Sequence, residues 1–318
     1  MSKKIILFEG EQLNFEKKFY ILIDLLISNQ SNSRFESFLL FTIFYLQIIS
    51  SFFSDKLNAF SPNNAKSDKF LYYIHKILRV KELLINNYLV FQIFEFILFI
   101  LIIILIIHFL LSIIIITKTS FYSYNKKIIN IYIKIFLYIA YNIIYDICFC
   151  SFSLNEGDIY KNLASTKISN NYIIIVSIIN IIISLSLYTF LNIYYNDSFY
   201  LSKSYYAKMS CNYDIFWGIN CLIMSFLLAQ IKSFTKELFL IYNLIISIIL
   251  FIYYIKHYLY YDKVINTLTG IFHLLYVWTS FFTFIFAYIN FKEKGIIYII
   301  TSIIISFIYY FILEIYMI

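Results

Sequence analysis

The sequence predicts an all-α, polytopic transmembrane bundle of about eight spans, six at the least, with one or two interfacial amphipathic helices beside it. Three observations predict it. The 318 residues are 62% apolar and only 14% charged, whereas a water-soluble domain is nearer half apolar and a quarter charged. The apolar residues also run unbroken for roughly 18 positions or more, the length a helix needs to cross about 30 Å of hydrocarbon at 1.5 Å per residue. Finally, backbone groups in lipid must be satisfied internally, which leaves helices or closed barrels, and the runs lack the ten-residue alternation of a barrel.

Taken in order, the chain divides into an N-terminal polar or interfacial segment, 1–35, and a single transmembrane domain, 36–318. The start Met1-Ser2-Lys3-Lys4 carries positive charge, but the apolar stretch that follows is cut short by Glu9 and Glu11. No cleavable signal is expected, so the first span directs insertion. A stretch at 19–27 is interrupted by Asp24 and too brief to span; it reads as interfacial. The expected spans are 36–53, 89–116, 128–152, 172–195, 214–231, 238–258, 268–289 and 295–317. The second, at 28 residues, is about 42 Å long and should tilt or protrude.

Between the first two spans, 69–85 has helical period. Phe70, Leu71, Ile74, Ile77, Leu78, Leu84 and Ile85 share one side, while Lys69, His75, Lys76, Arg79 and Glu82 lie elsewhere. The expectation is an interfacial helix whose basic residues face lipid headgroups. No repeat, coiled coil or soluble domain of core-forming size is visible.

The net charge of +7 is dispersed between hydrophobic runs, so it reads as membrane-flanking charge and not as a nucleic-acid footprint. Twelve Lys and Arg residues fall in the loops on each side. The positive-inside rule therefore does not orient the chain, and cytosolic termini in a plasma membrane or endomembrane are adopted as the expectation. Heavy use of Ile, Phe, Tyr, Asn and Lys, with 5 Gly and 1 Pro, matches the codons of an AT-rich genome.

Ionisable residues at membrane depth normally face the bundle and are the default functional candidates. Here they are Glu95, His108, Lys134, Asp146, His273 and Glu314. Helix direction places Glu95 and Asp146 toward the face opposite the termini, and His108, His273, Lys134 and Glu314 toward the face of the termini. Asn142, Asp146 and Cys150 recur every four residues and so share one helical face, the best candidate for a buried polar seam. Two readings of the carboxylates are open: an ion or proton path touching Glu95 and Asp146, or side chains that cap and flank helix ends, with Lys134 and Glu314 snorkelling.

His108 and His273 could hold a haem between them, but hydrogen-bonded core histidines are expected, so no cofactor is assigned. Cys148 and Cys150 are two apart and point to different faces, which excludes a shared metal site on that helix. There is no phosphate-binding Gly-rich loop, no zinc-type His-Glu-x-x-His and no Gly-x-Ser-x-Gly elbow, so an enzyme is not expected. Transporters break helices at Gly or Pro around a midplane site, yet Pro62 is in a loop and only Gly218, Gly270 and Gly295 lie in or at the ends of spans.

The region 34–116 carries Phe44-Tyr45-Leu46-Gln47-Ile48-Ile49-Ser50, then Lys76-Ile77-Leu78-Arg79-Val80, then Asn86-Asn87-Tyr88 leading into the long second span. With Tyr195-Asn196-Asp197 and Ala207-Lys208-Met209 further on, these resemble the membrane region of the tiny macrocysts protein B-like family of ciliate multi-pass proteins, which often carry a sensory PAS domain. The resemblance implies a membrane module of a sensory protein, here separated from its PAS and output regions, and transfers no catalytic residues. Three functions follow as expectations: a non-catalytic sensory or interaction module; an ion channel or transporter with a polar path near Glu95 and Asp146; or a subunit of an organellar respiratory complex. The expected partners are the lipid bilayer and other membrane subunits.

Overall fold

The computed structural model describes residues 15–28, 34–60, 66–80, 84, 88–115, 119–153, 170–194, 212–231, 233–257, 259–260, 262–289 and 293–316. Among the described residues there are ten helices. They are α1 (Phe15–Ser28), α2 (Arg34–Ser50), α3 (Lys66–Leu78), α4 (Tyr88–Ile115), α5, α6 (Asn170–Tyr194), α7 (Asn212–Ala229), α8 (Ser233–His257), α9 (Lys263–Tyr288) and α10 (Lys294–Tyr316). Helix α5 runs through Thr119–Ile135 and Tyr141–Ser153 with a π-helical turn at Phe136–Ala140 between them.

Eight of the ten, all but α1 and α3, contain a stretch long and apolar enough to cross a membrane. The chain is thus an integral membrane bundle of the predicted class. The spans lie close to their expected bounds. Helix α9 begins five residues early because Asp262 caps it, its side chain accepting from the Ile265 N–H at 3.0 Å. Reading apolar runs alone misses a polar first turn.

The spans differ in depth. In α5, 72% of the membrane window is buried, against 28% in α4 and 11% in α10. Helix α5 is therefore the central member, packed by α6, α7 and the end of α2, while α8 and α9 pair along their length and α10 lies against α9. The outer faces of α4 and α10 are rows of isoleucine and phenylalanine such as Ile93, Ile97, Ile100, Ile303 and Phe307. Lipid is the only solvent such rows suit.

Helix α1 packs on α4 and α5, burying Leu22, Ile23 and Leu26 and exposing Phe15, Lys17 and Tyr20. At 14 residues it is too short to span.

Helix α3 corrects the sequence reading. Its buried face is Asp68, Leu71 and His75, continued by Arg79 one turn on, whereas Phe70, Tyr73 and Ile77 are exposed. The predicted headgroup-facing residues His75 and Arg79 point into the bundle; Lys69 is exposed and Lys76 half-buried. The helix turns His75 and Arg79 inward because polar partners await them there, while Leu71 and Ile74 of the same face pack on the apolar core. Glu82 and Ile85 lie outside the described residues.

Candidate functional site

The bundle's polar side chains gather around α5. Asn142 and Asp146 share the face that the four-residue spacing predicts, and both are buried. Asn142 donates to Gln47 Oε1 of α2 at 3.2 Å, and Gln47 Nε2 reaches the Ile139 carbonyl at 3.4 Å. That carbonyl lies in the π turn, where the wider winding frees carbonyls from their usual helical partners. One turn further, Asp146 Oδ1 accepts from Arg79 Nη1 and, at 2.7 Å, from Ser225 Oγ of α7. The Arg79 and Asp146 side chains are 4% and 3% exposed, so the pair is removed from water on both sides.

Arg79 is held in place by the end of α3. Its N–H bonds to the His75 carbonyl at 2.9 Å, and His75 Nδ1 donates to the Ser50 carbonyl at 2.6 Å. At the other end of α3, Asp68 Oδ1 accepts the Gly295 N–H at 2.6 Å, capping α10. A Cβ on Gly295 would come within 2.7 Å of Asp68 Oδ1 and 2.8 Å of the Ser67 backbone, so only glycine lets the two elements approach this closely. Burial holds the Asp68 carboxyl above its ordinary value, although the Gly295 bond and the Lys294 ammonium pull it down. Polar contacts thereby fasten helix α3 to α2, α5 and α10, with Leu71 and Ile74 packed on the apolar core between them.

The second carboxylate stands apart. Glu95 accepts from Ser151 Oγ at 3.1 Å and from Ser177 Oγ, joining α4, α5 and α6. Ser151 lies five residues beyond Asp146, about 140° around the helix, so Glu95 and Asp146 occupy separate clusters on different sides of α5. Lys134 donates to Glu36 Oε1 at 2.9 Å, bridging α5 to the start of α2 with Glu36 44% exposed. The side chain of Glu314 lies outside the described residues.

The two histidines are in different surroundings. His108 packs edge-on to Tyr132. His273 is fully buried, hydrogen-bonded through Nε2 to the Tyr213 hydroxyl, with the rings of Tyr45, Trp217 and Tyr254 within 5.7 Å. Below it, Tyr276 donates to Asn243 Oδ1 at 2.7 Å, and Tyr242 donates to Asn220 Oδ1 at 2.9 Å. Among the described residues no group of three or more His, Cys, Asp or Glu is placed to hold a metal ion.

Sequence reasoning missed the partners: Gln47, Arg79, Ser225, Glu36, Ser151, Ser177 and Tyr213. Arg79 alone left a trace, because Asp68, His75 and Arg79 fall at helical spacing and share the face that turns inward.

Compared with known proteins, the chain matches no protein-family model, no curated protein and no solved structure.

Proposed function

We propose that the chain is a membrane-embedded sensory or interaction module without catalysis, in which α3 couples the membrane surface to the bundle core. The observation that carries this reading is the inversion of α3. Its polar face is locked inward by Asp68, His75 and Arg79, while Phe70, Tyr73 and Ile77 present an outward apolar stripe at helical spacing, 57%, 50% and 68% exposed. Lys69 and Lys76 stack their ammonium groups over Tyr73 and Tyr72 beside that stripe, the arrangement of a surface lying at headgroup level.

A membrane partner or lipid that engages the stripe pushes on a helix whose far side holds Arg79 against Asp146. That converts a surface contact into a shift between α5 and α7. The resemblance of 34–116 to the tiny macrocysts protein B-like membrane region supports the sensory side of the reading. The separation of Glu95 from Asp146, each bonded in its own cluster, supports fastening over conduction.

The test places a photo-crosslinker at Tyr73 in the native membrane and, in parallel, measures ion flux in proteoliposomes. Discrete adducts to a membrane protein or lipid, lost when Phe70 and Ile77 are changed to Ser, are expected. A sustained flux abolished by Asp146→Asn or Glu95→Gln would replace this reading with a channel.

A further inference from the structure

A cleft of about 550 Å³ opens between α1, α4, α5 and α6, within the size range of small-molecule sites. Its walls come from Leu105 to Ile113 of α4 and Ile182 to Leu191 of α6, with Phe15 and Phe19 of α1 across one end. Ser186 is the single side chain there with a polar atom, and no charged residue lines it. Water gains nothing in such a space, because a water needs two to four polar partners.

Its dimensions select among apolar occupants. The eight steps from Leu105 to Ile113 and nine from Ile182 to Leu191 correspond to about 12–14 Å along the helices, against about 15 Å for half of a 30 Å hydrocarbon core. Both segments are the last turns of their spans, in the half of the bundle that α1 covers. A single hydrocarbon chain is slender enough and matches one leaflet in length.

Helix α1 marks the mouth. Phe19 packs on Phe109, Phe190 and Tyr194 at ring distances of 5.4–6.4 Å, while Lys17 on the same turn is exposed. This end is thus aromatic and charged, as the headgroup boundary requires, and the apolar end points to the bilayer centre.

We infer that the cleft is a binding site for one acyl chain of a bilayer glycerophospholipid, inserted along α4 and α6 with its headgroup beside the first turn of α1. The site is independent of α3, so its fate and that of the α3 reading are measured separately.

The experiment reconstitutes the full chain in nanodiscs containing phosphatidylcholine with a diazirine on one acyl chain, and maps photo-adducts by mass spectrometry. Adducts should concentrate on 105–113 and 182–191, and the filling variants Leu187→Trp and Ile183→Trp should each lower them about tenfold, the factor 1.4 kcal/mol gives, while adducts on the outer face of α10 stay constant. Circular dichroism and gel filtration report whether each variant folds, and the wild-type adduct map decides even if both fail. Adducts spread evenly over α4, α6 and α10 would reduce the cleft to ordinary annular contact and overturn the inference. Chain-to-chain crosslinks through the cleft would overturn it in favour of a dimer.

Discussion

Replacing Asp146 with Ala should destabilise the protein by about 3–5 kcal/mol, the cost of leaving one member of a buried ion pair without its counter-charge. The magnitude follows from burial: Arg79 is 4% exposed and cannot turn to water without lifting the end of α3 off Ser50. Against a total stability of about 5–15 kcal/mol, this is a large fraction. Removing only the hydroxyl by Ser225→Ala should cost about 1.5 kcal/mol, the low end for a hydrogen bond to a charged group. The paired change Arg79→Met with Asp146→Leu replaces both charges by apolar groups and should come out near neutral. Reversible unfolding of the purified protein by SDS, run as a double-mutant cycle, reads all of these, and amide exchange over 66–78 reports the release of α3. The reasoning fails if each charged residue costs under about 1 kcal/mol and the two costs simply add.

Four further outcomes follow from the geometry. Gly295→Ala should cost about 1–3 kcal/mol as an overpacked contact, because the Ser67 backbone 2.8 Å away cannot step aside; amide exchange should rise in α3 and at the start of α10 and leave α4 unchanged. For Asp68, burial raises the folded-state value, so its contribution is fully present below the ordinary value of 3.8 and is lost as pH rises through the raised one; unfolding from pH 3.5 upward should show this decline in the wild type and not in Asp68→Asn. Glu95→Ala should cost only about 1 kcal/mol, since Ser151 and Ser177 also bond to the Ile147 and Ile173 carbonyls at 3.1 and 2.9 Å, and a loss equal to that of Asp146→Ala in the same assay would contradict the ranking. A Cβ on Gly270 meets the hydroxyls of Tyr309 and Tyr254 at 2.4 and 2.6 Å, whereas one on Gly218 meets ring carbons of Tyr188 at 2.4 and 2.9 Å; Tyr309→Phe should therefore recover part of the stability lost in Gly270→Ala, and Tyr188→Phe should recover none lost in Gly218→Ala.

The spans were legible because their signal is local and additive: an apolar run long enough to cross hydrocarbon needs no knowledge of its neighbours. The faces of the spans were legible only in part. Asn142 and Asp146 announced a polar seam by spacing, but their partners Gln47 and Arg79 lie 95 and 67 residues away, and nothing in the sequence couples them. Helix α3 shows the same limit most sharply. Its period was correct, but His75 and Arg79 turn into the bundle and not to the headgroups, because the surface α3 meets offers Ser50, Asp146 and the α10 terminus beside the apolar core that takes Leu71 and Ile74. In lipid the outside is the apolar phase, so a polar inward face is the one the solvent favours.

The same inversion bears on what holds the spans together. Lipid is as apolar as isoleucine, so the hydrophobic effect does not drive one span against another, and close packing with interhelical hydrogen bonds must do it. Glycine notches usually serve backbone approach in membranes, as Gly295 does, but Gly218 and Gly270 receive tyrosines. Tyr188 lies on Gly218 and stacks on Tyr141 with ring centres 3.9 Å apart, and Tyr141 in turn donates to the Gly218 carbonyl at 3.2 Å. Each aromatic pair contributes about 0.5–1.5 kcal/mol, less than the cost of breaking the Arg79 pair, but such pairs recur between α2, α7 and α9, where Tyr45 meets Trp217 and Phe272 and Trp217 meets Tyr276. Cohesion of the spans therefore rests on many small contacts that no single substitution removes. The position of α3 rests on a few strong ones, so α3 is the element that one perturbation can move while the bundle stays whole.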